Sequence, residues 1–321
     1  AINNGTAALD LALKAVGGNA EDEVIVPAMT YIATASAVLY QRAVPVFVDI
    51  ERETFNLNPE KIEKAISHKT KAILFIDYGG NPAYIKEIIE IGEKKGIVVI
   101  QDAAQSLGGK YKGDNLGSQT LISTMSFHMA KVMTTVEGGM VLTHDDGLAE
   151  KIRIMRNQGE DPRRKYHHIM LGTNARMTDM QAAIGIEQFK KLESNVRRRH
   201  GIAEKYDNYF NEMADIKVMK NHPELNCVNA YFFYPVLIPQ RDRVASLLRE
   251  RGIDTRIAYP MVVYKQDMFV NAGSPCKFQE CPVAEEFTSK VLNLPIFPDM
   301  KEEEINYVAS TLIDILDTVR D

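Results

Sequence analysis

Lys131 stands in Ser126-Phe127-His128-Met129-Ala130-Lys131 and is followed by Thr134-Thr135-Val136-Glu137-Gly138-Gly139. This reads as a short turn between a strand-like run and a Gly-Gly strand start. An amine so placed can hold an aldehyde as a Schiff base, although most lysines are solvated surface charges. Asp102, in Ile100-Gln101-Asp102-Ala103-Ala104-Gln105, follows an apolar run. A carboxylate at the carboxyl end of a parallel strand can pair with a protonated pyridine nitrogen and keep the ring electron-poor. It can equally cap the next helix. Ala104, two residues on, can pack its methyl against the ring face, and Gln105 can hydrogen-bond a ring hydroxyl. Asn4-Gly5-Thr6-Ala7-Ala8 precedes a helical pattern. Gly5 permits close backbone approach, Thr6 offers a hydroxyl, and a helix start attracts a dianion. An ordinary N-cap reads the same way. Ser126, five residues before Lys131, can bind a phosphate while the lysine reaches an aldehyde carbon. Tyr31 can stack on a ring or serve as a core aromatic. Together these are the parts of a pyridoxal phosphate site.

The elements that must position them alternate. Helical spacing covers Thr6 to Val16, Thr30 to Gln41, Pro59 to Ile66 and Ala83 to Lys95. Between them lie strand-like runs at Glu23 to Val26, Val44 to Ile50, Lys71 to Ile76 and Ile97 to Ile100. Continuous β-branched runs fit strands covered on both faces. Their alternation with helices predicts an α/β fold, a mostly parallel sheet with right-handed crossovers. Thr124 to Phe127 and Gly139 to Thr143 are expected as later strands of that sheet. Gly147 to Asn157 and Thr178 to Met213 read as helices, the second as one long helix ending in a charged stretch. Ile216 to Val218, Tyr231 to Ile238, the helix Arg241 to Arg251, and Thr255 to Tyr259 predict a smaller C-terminal α+β domain. The expected division is a large domain over residues 1–200 and a small one over 201–321.

Composition narrows the partners. The chain has 321 residues, a formal net charge of −5 and 45% apolar residues, ordinary for a soluble globular protein. Mild acidity gives no footing for nucleic acid or an anionic membrane, and no apolar run approaches the roughly 20 residues that span a bilayer. The Arg197-Arg198-Arg199 run is interleaved with Glu193, Glu204 and Asp207 and reads as a solvated helix face. Three cysteines, Cys227, Cys276 and Cys281, argue against a disulfide framework and for a reducing, cytoplasmic setting. Cys276 and Cys281 lack a second Cys/His pair, so no metal is expected. No G-x-G-x-x-G follows an early strand, which weighs against a nicotinamide-dependent dehydrogenase.

Taken in order, these stretches resemble the DegT/DnrJ/EryC1/StrS family, the pyridoxal-phosphate sugar aminotransferases of fold type I. The resemblance includes Asn4-Gly5-Thr6-Ala7-Ala8-Leu9, Asp22-Glu23-Val24-Ile25-Val26-Pro27, Pro45-Val46-Phe47-Val48-Asp49-Ile50 and Asp102-Ala103-Ala104-Gln105. It continues through Ser126-Phe127-His128, Lys131, Glu137-Gly138-Gly139, Asn174-Ala175-Arg176-Met177-Thr178-Asp179 and Asn293-Leu294-Pro295. It implies a mixed, mostly parallel sheet flanked by helices, and pyridoxal 5'-phosphate as cofactor. Lys131 would be the Schiff-base lysine, Asp102 the partner of the pyridine nitrogen and Gln105 that of the ring hydroxyl. Gly5, Thr6, Ala7 and Ser126 would hold the phosphate, and Tyr31 would stack on the ring. Asn174, otherwise a loop residue before a helix cap, would reach the phosphate of a neighbouring subunit's cofactor in a homodimer with shared sites. The implied reaction moves an amino group from glutamate or glutamine to a nucleotide-linked keto sugar. The alternative is a non-catalytic regulatory or scaffold member of the same fold. Three departures stand out. Gly5 lies almost at the terminus, so an N-terminal lead is expected to be missing. Val136 replaces a usual glycine, which is expected to shift the local turn. Ala258 replaces a frequent histidine, which predicts an atypical substrate pocket.

Overall fold

The computed structural model describes residues 1–221 and 226–319. The first half alternates as expected: α1 (Gly5–Ala15), β1 (Glu23–Pro27), α2 (Ile32–Tyr40), β2 (Val44–Val48), α3 (Pro59–Ala65), β3 (Thr70–Ile76), α4 (Ile85–Lys95) and β4 (Val98–Asp102). Local chemistry sets the helix ends. The Asn4 side chain accepts from the Ala7 N–H at 2.8 Å and starts α1. Asn58 with Pro59 at the first helical position starts α3, and left-handed Gly96 ends α4. A small hairpin follows, β5 (Lys110–Tyr111) and β6 (Asp114–Asn115), then β7 (Ile122–Ser126), β8 (Gly139–Thr143) and α5 (Asp146–Met155). The chain continues through α6 (Asp179–Phe189), α7 (Leu192–Phe210), β9 (Lys217–Val218), β10 (Tyr234–Leu237) and α8 (Arg241–Glu250). It closes with α9 (Asp267–Val270), β11 (Lys277–Phe278), α10 (Pro282–Lys290), β12 (Val291–Leu294) and α11 (Glu302–Val319).

Among the described residues, seven strands form one mixed sheet in the order β11-β2-β1-β3-β4-β7-β8. Every pairing is parallel except that of β7 with β8. β1 and most of β3 and β4 are buried, which is why their apolar runs are continuous rather than alternating. Registers such as Leu74 opposite Ile100 and Gln101 opposite Ser123 bring the carboxyl ends of β4 and β7 together on one rim. The second core belongs to a three-stranded antiparallel sheet, β12-β10-β9, packed with α7, α8 and α11.

Two expectations need correction. Residues 178–213 form two helices, α6 and α7, with a break at Lys190-Lys191. Residues 255–259 are not a strand; they contribute only a bridge between Arg256 and Asn293. The third strand of the small sheet is instead β12. The chain also returns to the large core after the small sheet has begun. Val262, Tyr264, Phe269 and Phe287 all belong to the first core, and β11 pairs with β2. Asp49 fixes this return, its carboxylate accepting from the Val283 and Ala284 N–H groups at 3.1 and 2.8 Å.

Candidate active site

The carboxyl ends of β4 and β7 and the amino end of α1 open onto one cavity of about 810 Å³. Gly5, Thr6, Ala7, Tyr31, Asp102, Gln105, Ser126, Lys131 and Asn174 all line it. A second cavity of about 690 Å³ runs along α5 and is lined by charges of both signs, including Asp146, Arg153 and Lys165. None of the nine residues borders it.

Strand ends, helix starts and turns position these residues. Asp102 ends β4 and is buried. Its carboxylate accepts from the Thr34 hydroxyl at 3.1 Å and the Ala104 N–H at 3.1 Å, so it caps a turn rather than a helix. Thr34 is in turn hydrogen-bonded to Thr30 at 2.8 Å. Burial pushes the Asp102 carboxyl above its ordinary range, while the Ala104 N–H, Lys131 and Thr34 oppose that push. Lys131 sits on the β7–β8 turn with its Nζ 4.4 Å from the centre of the Phe232 ring. Burial lowers its amine to about 8, and the attraction of Asp102 works the other way. An amine poised near neutrality is both a usable nucleophile and a usable base.

Gly5 opens α1 directly against β7. A Cβ there would lie 2.8 Å from Ser126 Cβ and 3.1 Å from its Oγ, so only glycine lets the helix start approach this closely. Tyr31, just before α2, is 55% exposed and therefore not a core aromatic; its ring centre lies 6.1 Å from that of Tyr259. Gln105 is buried, accepts the Gly79 N–H at 2.8 Å and donates to the Tyr259 hydroxyl at 3.1 Å. Its amide nitrogen keeps one further hydrogen for a ligand. Asn174 is exposed on the loop before α6 and borders its own chain's cavity.

The residues present fit pyridoxal 5'-phosphate. Thr124 Oγ1 and Asn3 Oδ1 belong to cavity-lining residues and are buried without a hydrogen-bond partner among the described residues. The helix start beside Gly5 suits a dianion, and Asp102 with Lys131 suits a cationic ring bearing an aldehyde. Sequence reasoning missed Thr124, Thr34 and Phe232. Thr124 had a signal, since it lies two residues before Ser126 on one strand and thus on the same face. Thr34 and Phe232 had none, because their partners are 68 and 101 residues distant in sequence. Val136 adopts a positive φ of 70°.

The chain as a whole resembles known proteins in sequence and fold. The model of the DegT/DnrJ/EryC1/StrS aminotransferase family matches residues 1–313. The chain is 37% identical over 312 residues to the pleiotropic regulatory protein of Geobacillus stearothermophilus, covering 97% of this chain and 83% of that protein. It is 36% identical over 316 residues to GDP-perosamine synthase of Escherichia coli O157:H7, covering 97% and 84% respectively. The crystal structure of DesV from S. venezuelae in complex with a ketimine intermediate superposes with a TM-score of 0.92 at 33% identity, covering 98% of this chain and 84% of that one.

Proposed function

Because the chain belongs to the DegT/DnrJ/EryC1/StrS aminotransferase family, we propose that it uses pyridoxal 5'-phosphate to move an amino group from glutamate or glutamine to a nucleotide-linked keto sugar. The observation that supports this most is the meeting of Lys131, Asp102 and the α1 start at one cavity. The relatives named for amino-sugar formation, such as GDP-perosamine synthase, support the sugar acceptor.

When bound, the cofactor supplies an electron sink for charge developing at the donor's Cα. The chain does the rest. The Lys131 amine would hold the aldehyde, and its Nζ would move a proton to and from the donor carbon, a role worth roughly 10²–10⁴-fold. Burial raises the Asp102 carboxyl while the Ala104 N–H, Lys131 and Thr34 favour its charged form, and as a carboxylate it would pair with the ring nitrogen and keep it protonated. Gly5, Thr6, Ala7 and Ser126 would hold the phosphate, Gln105 the ring hydroxyl, and Tyr31 one ring face.

A homodimer with shared sites belongs to the same reading, with Asn174 reaching the partner's phosphate. It is supported by α6, which buries no side chain in the single chain and exposes Met180, Ile184, Ile186 and Phe189. A cytoplasmic setting is supported by Cys227, Cys276 and Cys281, which form no disulfide. Among the described residues no helix is long and apolar enough to cross a membrane.

Visible absorbance tests the assignment. Protein reconstituted with pyridoxal 5'-phosphate should be yellow, bleach with L-glutamate, and recover colour with an accepted keto sugar. Lys131→Ala should abolish the lysine-linked band and turnover; sustained turnover in that variant would refute the assignment. The regulatory reading, favoured by the name of the Geobacillus relative, predicts a protein that glutamate does not bleach.

A further inference from the structure

We propose that His128 is a positioning residue, whose imidazole holds the turn that aims Lys131 into the cavity. Its catalytic consequence rests on the aminotransferase reading, whereas its structural basis does not.

The turn is closed at its base by the backbone. Phe127 N–H donates to the Gly138 carbonyl, and Thr135 N–H to the Phe127 carbonyl, both at 2.8 Å. Between these ties, the two N–H groups that lead into the lysine side chain both end on His128. Lys131 N–H donates to the His128 carbonyl at 2.9 Å. Ala130 N–H donates to His128 Nδ1 at 3.2 Å. The histidine's own N–H is held by Ser126 Oγ at 3.4 Å. Met129, the residue between, projects into solvent and fixes nothing.

On its far side the ring faces a carboxylate. Accepting at Nδ1 leaves the ring proton on Nε2. That nitrogen faces Glu137 Oε1 at 3.7 Å. Glu137 is tied through its carbonyl, which accepts from Thr135 Oγ1 and from Gln181 Nε2, each at 2.7 Å. The bond from Nδ1 to the N–H two residues on is the ring that an aspartate or asparagine closes in an Asx-turn. A half-exposed histidine would otherwise be an ordinary surface side chain. Lysine needs such a foundation, because its four-carbon stem is flexible and its amine is aimed only as well as its Cα is fixed. Misplacement of a reacting group by about 1 Å can cost on the order of 10²-fold in rate.

Two substitutions separate the Nδ1 acceptor from the ring's bulk. His128→Asn places an oxygen where Nδ1 was, and His128→Phe keeps a ring without an acceptor. Three measurements apply to the intact protein. They are amide exchange at Ala130, borohydride trapping of pyridoxal on Lys131, and the rate of bleaching by L-glutamate as its concentration is varied. For His128→Phe we expect Ala130 exchange at least about tenfold faster and trapping slower. The limiting bleaching rate should fall about 10–100-fold, with the half-saturating glutamate concentration within about threefold of wild type. His128→Asn should restore all three. The proposal is overturned if His128→Phe keeps either wild-type exchange or the wild-type limiting rate, or if His128→Asn is as impaired as His128→Phe. Failure of the aminotransferase reading would show separately, as wild-type protein that traps no pyridoxal on Lys131.

Discussion

Replacing Lys131 with methionine should stabilise the cofactor-free protein near neutral pH while removing its chemistry. Methionine matches the lysine stem in length but carries no charge. In the fold, burial takes the amine from its ordinary 10.5 to about 8, a value that already includes the opposing pull of Asp102. A displacement of that size corresponds to about 3 kcal/mol against the charged form. Part of the amine's surroundings is still solvent, which screens the effect, so about 1–2 kcal/mol is the expected gain at pH 7. The sign follows from proton counting. Between about pH 8 and 10.5 the unfolded chain binds more protons at this site than the folded one, so wild-type stability rises with pH there. The advantage of Lys131→Met should therefore be full below pH 8, shrink through that window and vanish above it. Urea unfolding of stripped wild type and variant at pH 7 and pH 9.5 measures it. A variant no more stable than wild type at pH 7, or a gap that does not narrow with pH, would refute the account of the lysine as a cation held at a cost.

Gly5→Ala should destabilise the protein by about 1–3 kcal/mol, because its Cβ would sit 2.8 Å from Ser126 Cβ. Adding Ser126→Gly should recover part of that loss, and a thermal-unfolding double-mutant cycle reads the coupling. Val136→Gly should stabilise by about 0.5–1 kcal/mol, since a β-branched residue there holds a left-handed backbone; an unchanged unfolding midpoint would remove that explanation. Asp102→Asn should retain bound cofactor by absorbance yet lose activity on the order of 10²–10³-fold, the usual scale for removing a group that stabilises developing charge. Wild-type rates in that variant would take away its role at the ring nitrogen.

What was legible in the sequence was what local pattern encodes. β3 and β4 could be read because strands covered on both faces carry unbroken apolar runs. Asp102 and Lys131 could be placed because strand ends and tight turns leave signatures within a few residues. The break between α6 and α7 was hidden, because Lys190 and Lys191 are good helix formers and neither glycine nor proline marks the junction. β11 was hidden for a different reason. It has two residues, Lys277 and Phe278, and exists only because β2 offers an edge to pair with. In the site, the engagement of Gln105 with Gly79 and Tyr259 joins residues 26 and 154 positions apart, beyond any local pattern.

Among the described residues the polypeptide passes repeatedly between the large core and the core of the small sheet. It leaves along α7, touches the large core at Met219, meets both cores at Ile257, and departs again between Phe287 and Leu292. Several covalent tethers restrict how one part can swing against the other, since every tether must bend at once. One of them runs beside Arg256 and Tyr259, two residues in the cavity wall. Any rocking of the smaller part is thus geared to the shape of the ligand chamber. Severing the chain near residue 200 would not free a self-sufficient half, because the large sheet would forfeit its outermost strand and the aromatic side chains that seal Phe47.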